Sequence, residues 1–297
     1  MTIRISRGRP ELLAKLDADA ALRCASREEF VCRYDELFER FYSYFSPGVR
    51  PRQIENAKYH KLRYIDLCRE NFDGRVMDVG NDKPFIVYYL RELNPRASFF
   101  TISYDIPETP VDLYDVDIEQ EVFPVEEGAY DQVIFTEVLE HLWRDPAFAV
   151  HQMNRALRKG GLAFITTPNA CELHAIECIL WQANPNQRNQ FYSRLESGHL
   201  HLWTAQELRI LFESNGFEVK ELRSYDSYGY TNRNGKLMQL AREISPHVEM
   251  MGETLLMRAV KSEALPHPVY DARLFPNGSG VKFEGAIRNF ASKHLGN

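Results

Sequence analysis

The sequence predicts an α/β fold: a seven-stranded sheet, mostly parallel with its last strand antiparallel, preceded by a helical N-terminal extension and carrying a cap insertion. Three observations predict it. From Arg75 onward, short β-rich runs alternate with helical patterns, the signature of parallel strands joined by helices on both faces of a sheet. Residues 1–70 have the texture of helices instead. Between the fifth strand and the next helix lies ACELHAIECILWQANPNQRNQFYSRLESGHLHLW, too long for a routine connection, and such insertions usually cover a site.

In chain order, SREEFVCRYDELFERFYSYF opens with a capping box, Ser26 and Glu29, and then puts Phe30, Tyr34, Leu37, Phe38, Phe41, Tyr42 and Phe45 on one helical face. So aromatic a stripe must bury against something. The first strand is RVMDVG, followed by the helix PFIVYYLREL, the second strand SFFTISYD and the third VDLYDVDI. YDQVIFTEV is the fourth strand, AFAVHQMNRALRKG the next helix and LAFITTPN the fifth strand. A second capping box, Thr204 and Glu207, starts the helix AQELRILFESNG, and Gly216 stops it before the strand FEVKELR. ETLLMRAVK is the last strand, joined to its predecessor too loosely for a simple crossover and expected antiparallel. The expected organisation is a helical extension over 1–70, a core over 71–262 with the cap insertion at about 170–202, and a Pro- and Gly-rich tail over 263–297.

Composition narrows the function classes. A chain of 297 residues that is 44% hydrophobic can bury one full-sized core plus an accessory element, or two small domains. No apolar run approaches the roughly eighteen residues needed to span a bilayer, and the N-terminus lacks the apolar stretch of a signal peptide, so a cytoplasmic location is the default expectation. Five cysteines without CxxC spacing argue against a disulfide framework and a thiolate zinc site; free, mostly buried thiols are expected. A net charge of −6 disfavours a general polyanion binder, although GVRPRQIENAKYHKLR gathers Arg50, Arg52, Lys58, Lys61 and Arg63. That stretch is read as a solvated helix face.

In a doubly wound sheet, ligands sit outside the carboxyl ends of the strands, near the point where strand order reverses. The first strand ends in MDVGNDKPF, where Asp78 and Gly80 let backbone approach a ligand at the start of the next helix and Pro84 suits its first turn. The second strand ends in Asp105, which can accept two hydrogen bonds from a ribose diol. Asp117 and Ile118 close the third strand with an acceptor for an exocyclic amine beside an apolar face for adenine. An acidic residue closing a strand is also an ordinary solvated turn; it is the order and spacing of the three that point to a nucleoside. The glycines of a dinucleotide fingerprint are absent.

Taken together, VMDVG, SYD, VDIEQEVFPVEEGAYDQVIFTEVLEHL, NRALRKGGLAFITTPN and HLWTAQELRILFESNGFEV resemble the class I S-adenosylmethionine-dependent methyltransferases, from Gly74 to about Lys261. The resemblance implies a Rossmann-like seven-stranded sheet with one antiparallel strand. It also implies Gly80 near the methionine part of S-adenosylmethionine, Asp105 on its ribose and Asp117 with Ile118 at its adenine; Asp78 and Thr136 are set with these cofactor residues. Where the family usually has a second glycine, this chain reads Asn81, Asp82 and Lys83. The cofactor carries a carboxylate rather than a pyrophosphate, so fewer glycines are required, and Asn or Asp tolerate left-handed backbone.

The stretch TEVLEHLW sets Glu137, Glu140 and His141 at i, i+3 and i+4, so on a helix all three converge on one side of its first turn. Family members also carry LEHL here without a metal. A second cluster, GHLHLW, adds His199 and His201 before the Thr204 helix. Two carboxylates with one or two imidazoles suit magnesium, manganese, iron(II) or zinc. The constellation resembles the metal-dependent 2'-O-methyltransferases of small-RNA 3' termini and the O-methyltransferases of the ubiquinone pathway. That resemblance implies Glu137, Glu140 and His141 as ligands with His199 or His201 as the fourth. A bound ion would then acidify a substrate hydroxyl. Without metal, His141 or His199 is the general base, and Glu137 belongs with them in the catalytic set.

The expected activity is S-adenosylmethionine-dependent O-methylation of a small molecule or sugar, with Mg2+, Mn2+ or another divalent ion as an optional cofactor. The neighbouring readings are a terminal-ribose RNA methyltransferase, which the acidic charge and the missing RNA-specific domain disfavour, and a non-catalytic binding protein on the same fold. Tyr225, Tyr228, Tyr230, Trp181 and Trp203 are candidate walls for a sugar or ring, a role that core packing explains as well. The N-terminal helices are read as a lid or a homodimer surface.

Overall fold

The computed structural model describes residues 4–6, 8–45, 50–80, 83–103, 113–142, 144–183, 185, 199–227, 235–244 and 247–274. The short strand β1 (Arg4–Ser6) leads into α1 (Pro10–Ala18), a 3-10 turn (Ala20–Leu22), α2 (Arg27–Tyr42) and α3 (Arg50–Arg69). Then come β2 (Gly74–Val79), α4 (Pro84–Leu93), β3 (Ala97–Ser103), β4 (Leu113–Asp115) and β5 (Tyr130–Thr136). A 3-10 turn (Leu139–His141), α5 (Pro146–Ala156), β6 (Leu157–Pro168) and α6 (Leu173–Leu180) follow. The chain goes on through α7 (Ala205–Ser214), β7 (Phe217–Tyr225), α8 (Gly235–Ile244), a 3-10 turn (Val248–Met250) and β8 (Thr254–Lys261).

The described strands form one sheet in the order β1-β4-β3-β2-β5-β6-β8-β7. β2 to β6 run parallel, while β8 lies antiparallel between β6 and β7. The predicted seven strands are therefore present, mostly parallel with the last in sequence reversed. β1, which pairs antiparallel with β4, is an eighth that three residues gave no pattern to announce. The direction of winding reverses between β2 and β5, so the crevice outside their carboxyl ends is where this topology receives a ligand.

Side chains alternate across the sheet and feed two cores. Met77, Val79, Val133, Phe135, Ala163 and Ile165 face α5 and α7, whereas Val76, Ile134, Phe164 and Leu256 face the N-terminal helices and α4. The aromatic stripe of α2 is consumed there: Phe85 of α4 has the rings of Phe30, Tyr34, Phe38, Phe41 and Tyr42 at centroid distances of 5.0 to 6.4 Å. Each such ring contributes roughly 1.5–3 kcal/mol by burial.

The caps follow the sequence. Glu29 N–H donates to Ser26 Oγ (3.2 Å), but the Glu29 carboxylate accepts from Ala25 N–H (2.8 Å) rather than from Ser26, so that box is half made, whereas Thr204 with Glu207 makes a complete one. The cysteines differ from expectation: all five are free, but only Cys68 is buried, and Cys32 and Cys171 are exposed. Among the described residues, no helix is long and apolar enough to cross a membrane.

Candidate active site

The carboxyl edge of the sheet begins at Gly80, whose φ of +83° belongs to the left-handed region. A Cβ there would lie 2.4 Å from Val138 Cγ2, so only glycine lets the end of β2 close against the segment after β5. α4 starts beyond it with Pro84 in its first turn and no side-chain cap, which leaves an N-terminus suited to a carboxylate. Asp78 is buried on β2, and Thr136 lies in register with Thr166 of β6. Asp105, Asn81 and Asp82 lie outside the described residues. Asp117 accepts from Glu119 N–H (3.1 Å) and from an Arg144 Nη (3.1 Å), so its carboxylate is engaged both by its own turn and by the segment before α5, with Ile118 packed on the core beside it. A glycine-closed turn, an uncapped helix start and an acid beside an apolar side chain fit the methionine and adenine ends of S-adenosylmethionine.

The stretch after β5 departs from the expected helix. Glu137 has a φ of +56°, and the chain makes only a 3-10 turn at 139–141; the helix starts at Pro146, where Asp145 accepts from Phe148 N–H (2.8 Å). Asp-Pro is the stronger start signal, since it supplies an N-cap and a preset first turn. Glu137 therefore stands outside the cluster that Glu140 and His141 join. Its N–H donates to Thr166 O (2.9 Å), its Oε1 accepts from Thr166 Oγ1 (2.8 Å), and its Oε2 is ion-paired with Arg63 of α3.

Glu140, His141 and His199 do come together. One ligand atom from each lies within 4.8 Å of the others, and the two imidazoles meet edge to face with centroids 5.2 Å apart. Glu140 is 1% exposed and accepts from Thr167 Oγ1 (3.1 Å). Its carbonyl takes the N–H groups of Leu200 (2.7 Å) and His201 (3.2 Å), which fastens the 199–201 segment over the turn. Trp203, buried, pins the same segment by donating from Nε1 to Leu139 O (3.3 Å). His201 turns aside, meeting the Trp203 ring edge to face at 4.6 Å with Nε2 3.8 Å from Glu207. Burial, then His141 and Arg63, lowers the His199 imidazole to about 4, so it stands neutral near pH 7. Burial pushes the Glu140 carboxyl up.

The sequence reading missed Arg63 and His60. Arg63 is 7% exposed, not part of a solvated face, and contacts His60, whose imidazole burial and Arg63 lower to about 3. The available signal was register: Arg63 stands four residues before the buried Leu67, on the apolar side of α3. Of the candidate walls, Trp181 is 79% exposed, Tyr225 is half-buried, and Tyr228 and Tyr230 lie outside the described residues.

A family described as "Methyltransferase domain" matches residues 34–222. No curated protein matches the chain. Among solved structures, the chain is similar to one in the complex between the Haloferax volcanii Trm112 methyltransferase activator and its methyltransferase. The TM-score there is 0.48 at 14% identity, over 76% of this chain and 98% of that one. It is also similar to a protein described as an S-adenosylmethionine-dependent methyltransferase from Archaeoglobus fulgidus, with TM-score 0.45 and 16% identity over 77% of this chain and 100% of that one. The family assignment rests on the match over residues 34–222, which runs from within α2 into β7.

Proposed function

The chain belongs to the methyltransferase-domain family, and from that premise we propose that it is an S-adenosylmethionine-dependent O-methyltransferase acting on a hydroxyl of a small molecule or sugar. The observation that carries the reading is the meeting of Glu140, His141 and His199 beside the carboxyl ends of β5 and β6. When bound, S-adenosylmethionine supplies an electrophilic methyl group on a sulfonium. Gly80 and the start of α4 hold its methionine end, Asp105 its ribose, and Asp117 with Ile118 its adenine. Asp78 and Thr136 line the crevice between them.

A hydroxyl is a poor nucleophile until its proton has somewhere to go. His199, neutral near pH 7 and half-buried, is placed in this reading as the acceptor of that proton at a ring nitrogen, with His141 beside it. The Glu140 carbonyl holds the 199–201 segment through Leu200 and His201, and its carboxylate lies 3.8 Å from His141 Nε2. Glu137 acts from the margin through its ion pair with Arg63. The same three residues, Glu140, His141 and His199, would hold a divalent ion such as magnesium or manganese, which would acidify a hydroxyl bound to it. His201 faces Glu207 and is outside that set.

The test is transfer of a labelled methyl group from S-adenosylmethionine to a panel of sugars, phenols and RNA 3' ends, with and without added metal. O-methylated small molecules from the wild type, and none from His199→Ala, support the reading. Modification of RNA ends alone would move the assignment to the terminal-ribose class, and no transfer with no cofactor binding would make the chain a binding protein on this fold.

A further inference from the structure

The acid assigned to the adenine is held by a relay of hydrogen bonds that runs back to the segment after β8. We propose that Glu119 is a positioning residue for the nucleoside end of the methyl donor: it pins Arg144 beside Asp117, so that Asp117 reads a ring amine. The proposal rests on the placing of adenine at Asp117 and Ile118 in the function proposed above.

In the turn after β4, Asp117 Oδ1 accepts from Glu119 N–H (3.1 Å), and Oδ2 accepts from Gln120 Nε2 and from an Arg144 Nη (3.1 Å). A carboxylate has about four acceptor positions. Among the described residues three donors take theirs, which leaves one for the ligand. A ring amine donates to that position, whereas a ring carbonyl in the same place sets acceptor against acceptor.

The pair of Asp117 and Arg144 does not hold itself. Its side chains are 35% and 44% exposed, and such pairs contribute little alone. What fixes Arg144 is its backbone: Glu119, 9% exposed, takes the N–H groups of Arg144 and Asp145 on one oxygen, each at 2.7 Å. Hydrogen bonds to a carboxylate in such a setting are the strong kind. Asp145 in turn caps α5 and accepts from the Tyr270 hydroxyl (2.6 Å). Tyr270 follows Val269, whose backbone is tied to Asn215, just beyond α7, by hydrogen bonds of 2.9 and 3.2 Å. The segment after β8 therefore reaches the adenine turn through the cap of α5.

The experiment titrates the full chain by calorimetry with S-adenosylhomocysteine and with its 6-oxo counterpart, S-inosylhomocysteine, and reads the ratio of the two affinities. The wild type is expected to prefer the amine by about tenfold or more. Glu119→Ala narrows that preference to within about threefold, because it weakens S-adenosylhomocysteine more than the 6-oxo ligand. Glu119→Gln keeps an oxygen that accepts both N–H groups, and restores the preference. Arg144→Ala, at a half-exposed side chain, narrows it as Glu119→Ala does, and Tyr270→Phe narrows it less. Thermal unfolding checks that each variant is folded, and Arg144→Ala carries the test if Glu119→Ala is not. Equal weakening of both ligands by Glu119→Ala would make Glu119 a structural tie alone and overturn the proposal. So would a preference that Glu119→Ala and Arg144→Ala leave unchanged, or a wild type that binds both ligands alike; the methyl-donor reading stands in each of these cases. If the wild type binds neither ligand, that reading falls and the proposal falls with it.

Discussion

Gly80 turns the chain with a backbone conformation that other residues reach only under strain, in a space already filled by Val138. Gly80→Ala is therefore expected to lower stability by roughly 1–3 kcal/mol and to weaken binding of S-adenosylhomocysteine, read by thermal unfolding and calorimetry. Glu137 is the second left-handed residue at this edge, and it is not glycine. Its strain is tolerated because Thr166 and Arg63 hold it. Glu137→Ala relieves none of that strain and removes the carboxylate paired with the buried Arg63, so a loss of about 3–5 kcal/mol is expected in urea unfolding. His141→Ala, at a half-exposed ring, should change stability by less than about 1 kcal/mol while abolishing transfer. The spacing of Glu137, Glu140 and His141 was legible in the sequence; their division was not. It depends on one backbone angle after β5 and on an arginine 74 positions earlier, and neither leaves a local pattern.

At the scale of elements, α2 was legible because its burial is periodic, and α7 because its capping box fixes where it begins, whereas α4 is buried continuously from Pro84 to Leu90. The partner of the α2 stripe was not legible, since periodicity tells that a face is buried and not what covers it. Phe85 sits at the centre of that contact. Phe85→Ala should cost about 3–5 kcal/mol, seen as a lower urea midpoint with an unchanged slope. α3 had no clean apolar stripe to read, because Arg63, a charged residue, occupies a position on its buried side. The 199–201 segment is fixed through the carbonyl of Glu140 and through Trp203, long-range contacts that a motif search does not see.

For the whole molecule, the alternation of strands and helices specified the sheet, and the topology then specified which strand ends share a crevice. The site also leaves a mark on the stability of the fold. His60 and His199 are held neutral at about 3 and about 4, below the ordinary 6.5, so the unfolded chain binds protons that the folded chain does not. Their contribution is complete above about pH 6.5 and is lost as pH falls toward 4 and then 3. Glu172, raised to about 7 by burial and by Glu253 and Asp226, works in the opposite sense, its contribution fading as pH rises from 4.5 to about 7. The comparison that isolates His199 is between proteins: stability of His199→Gln should fall less steeply than that of wild type between pH 6.5 and 4. The central claim is that the crevice beyond β2 and β5 binds the methyl donor. The most direct measurement is a calorimetric titration of the metal-stripped chain with S-adenosylhomocysteine, repeated after adding magnesium or manganese. One binding event per chain, abolished by Asp105→Ala, is the predicted result; no binding in any of these conditions would contradict it.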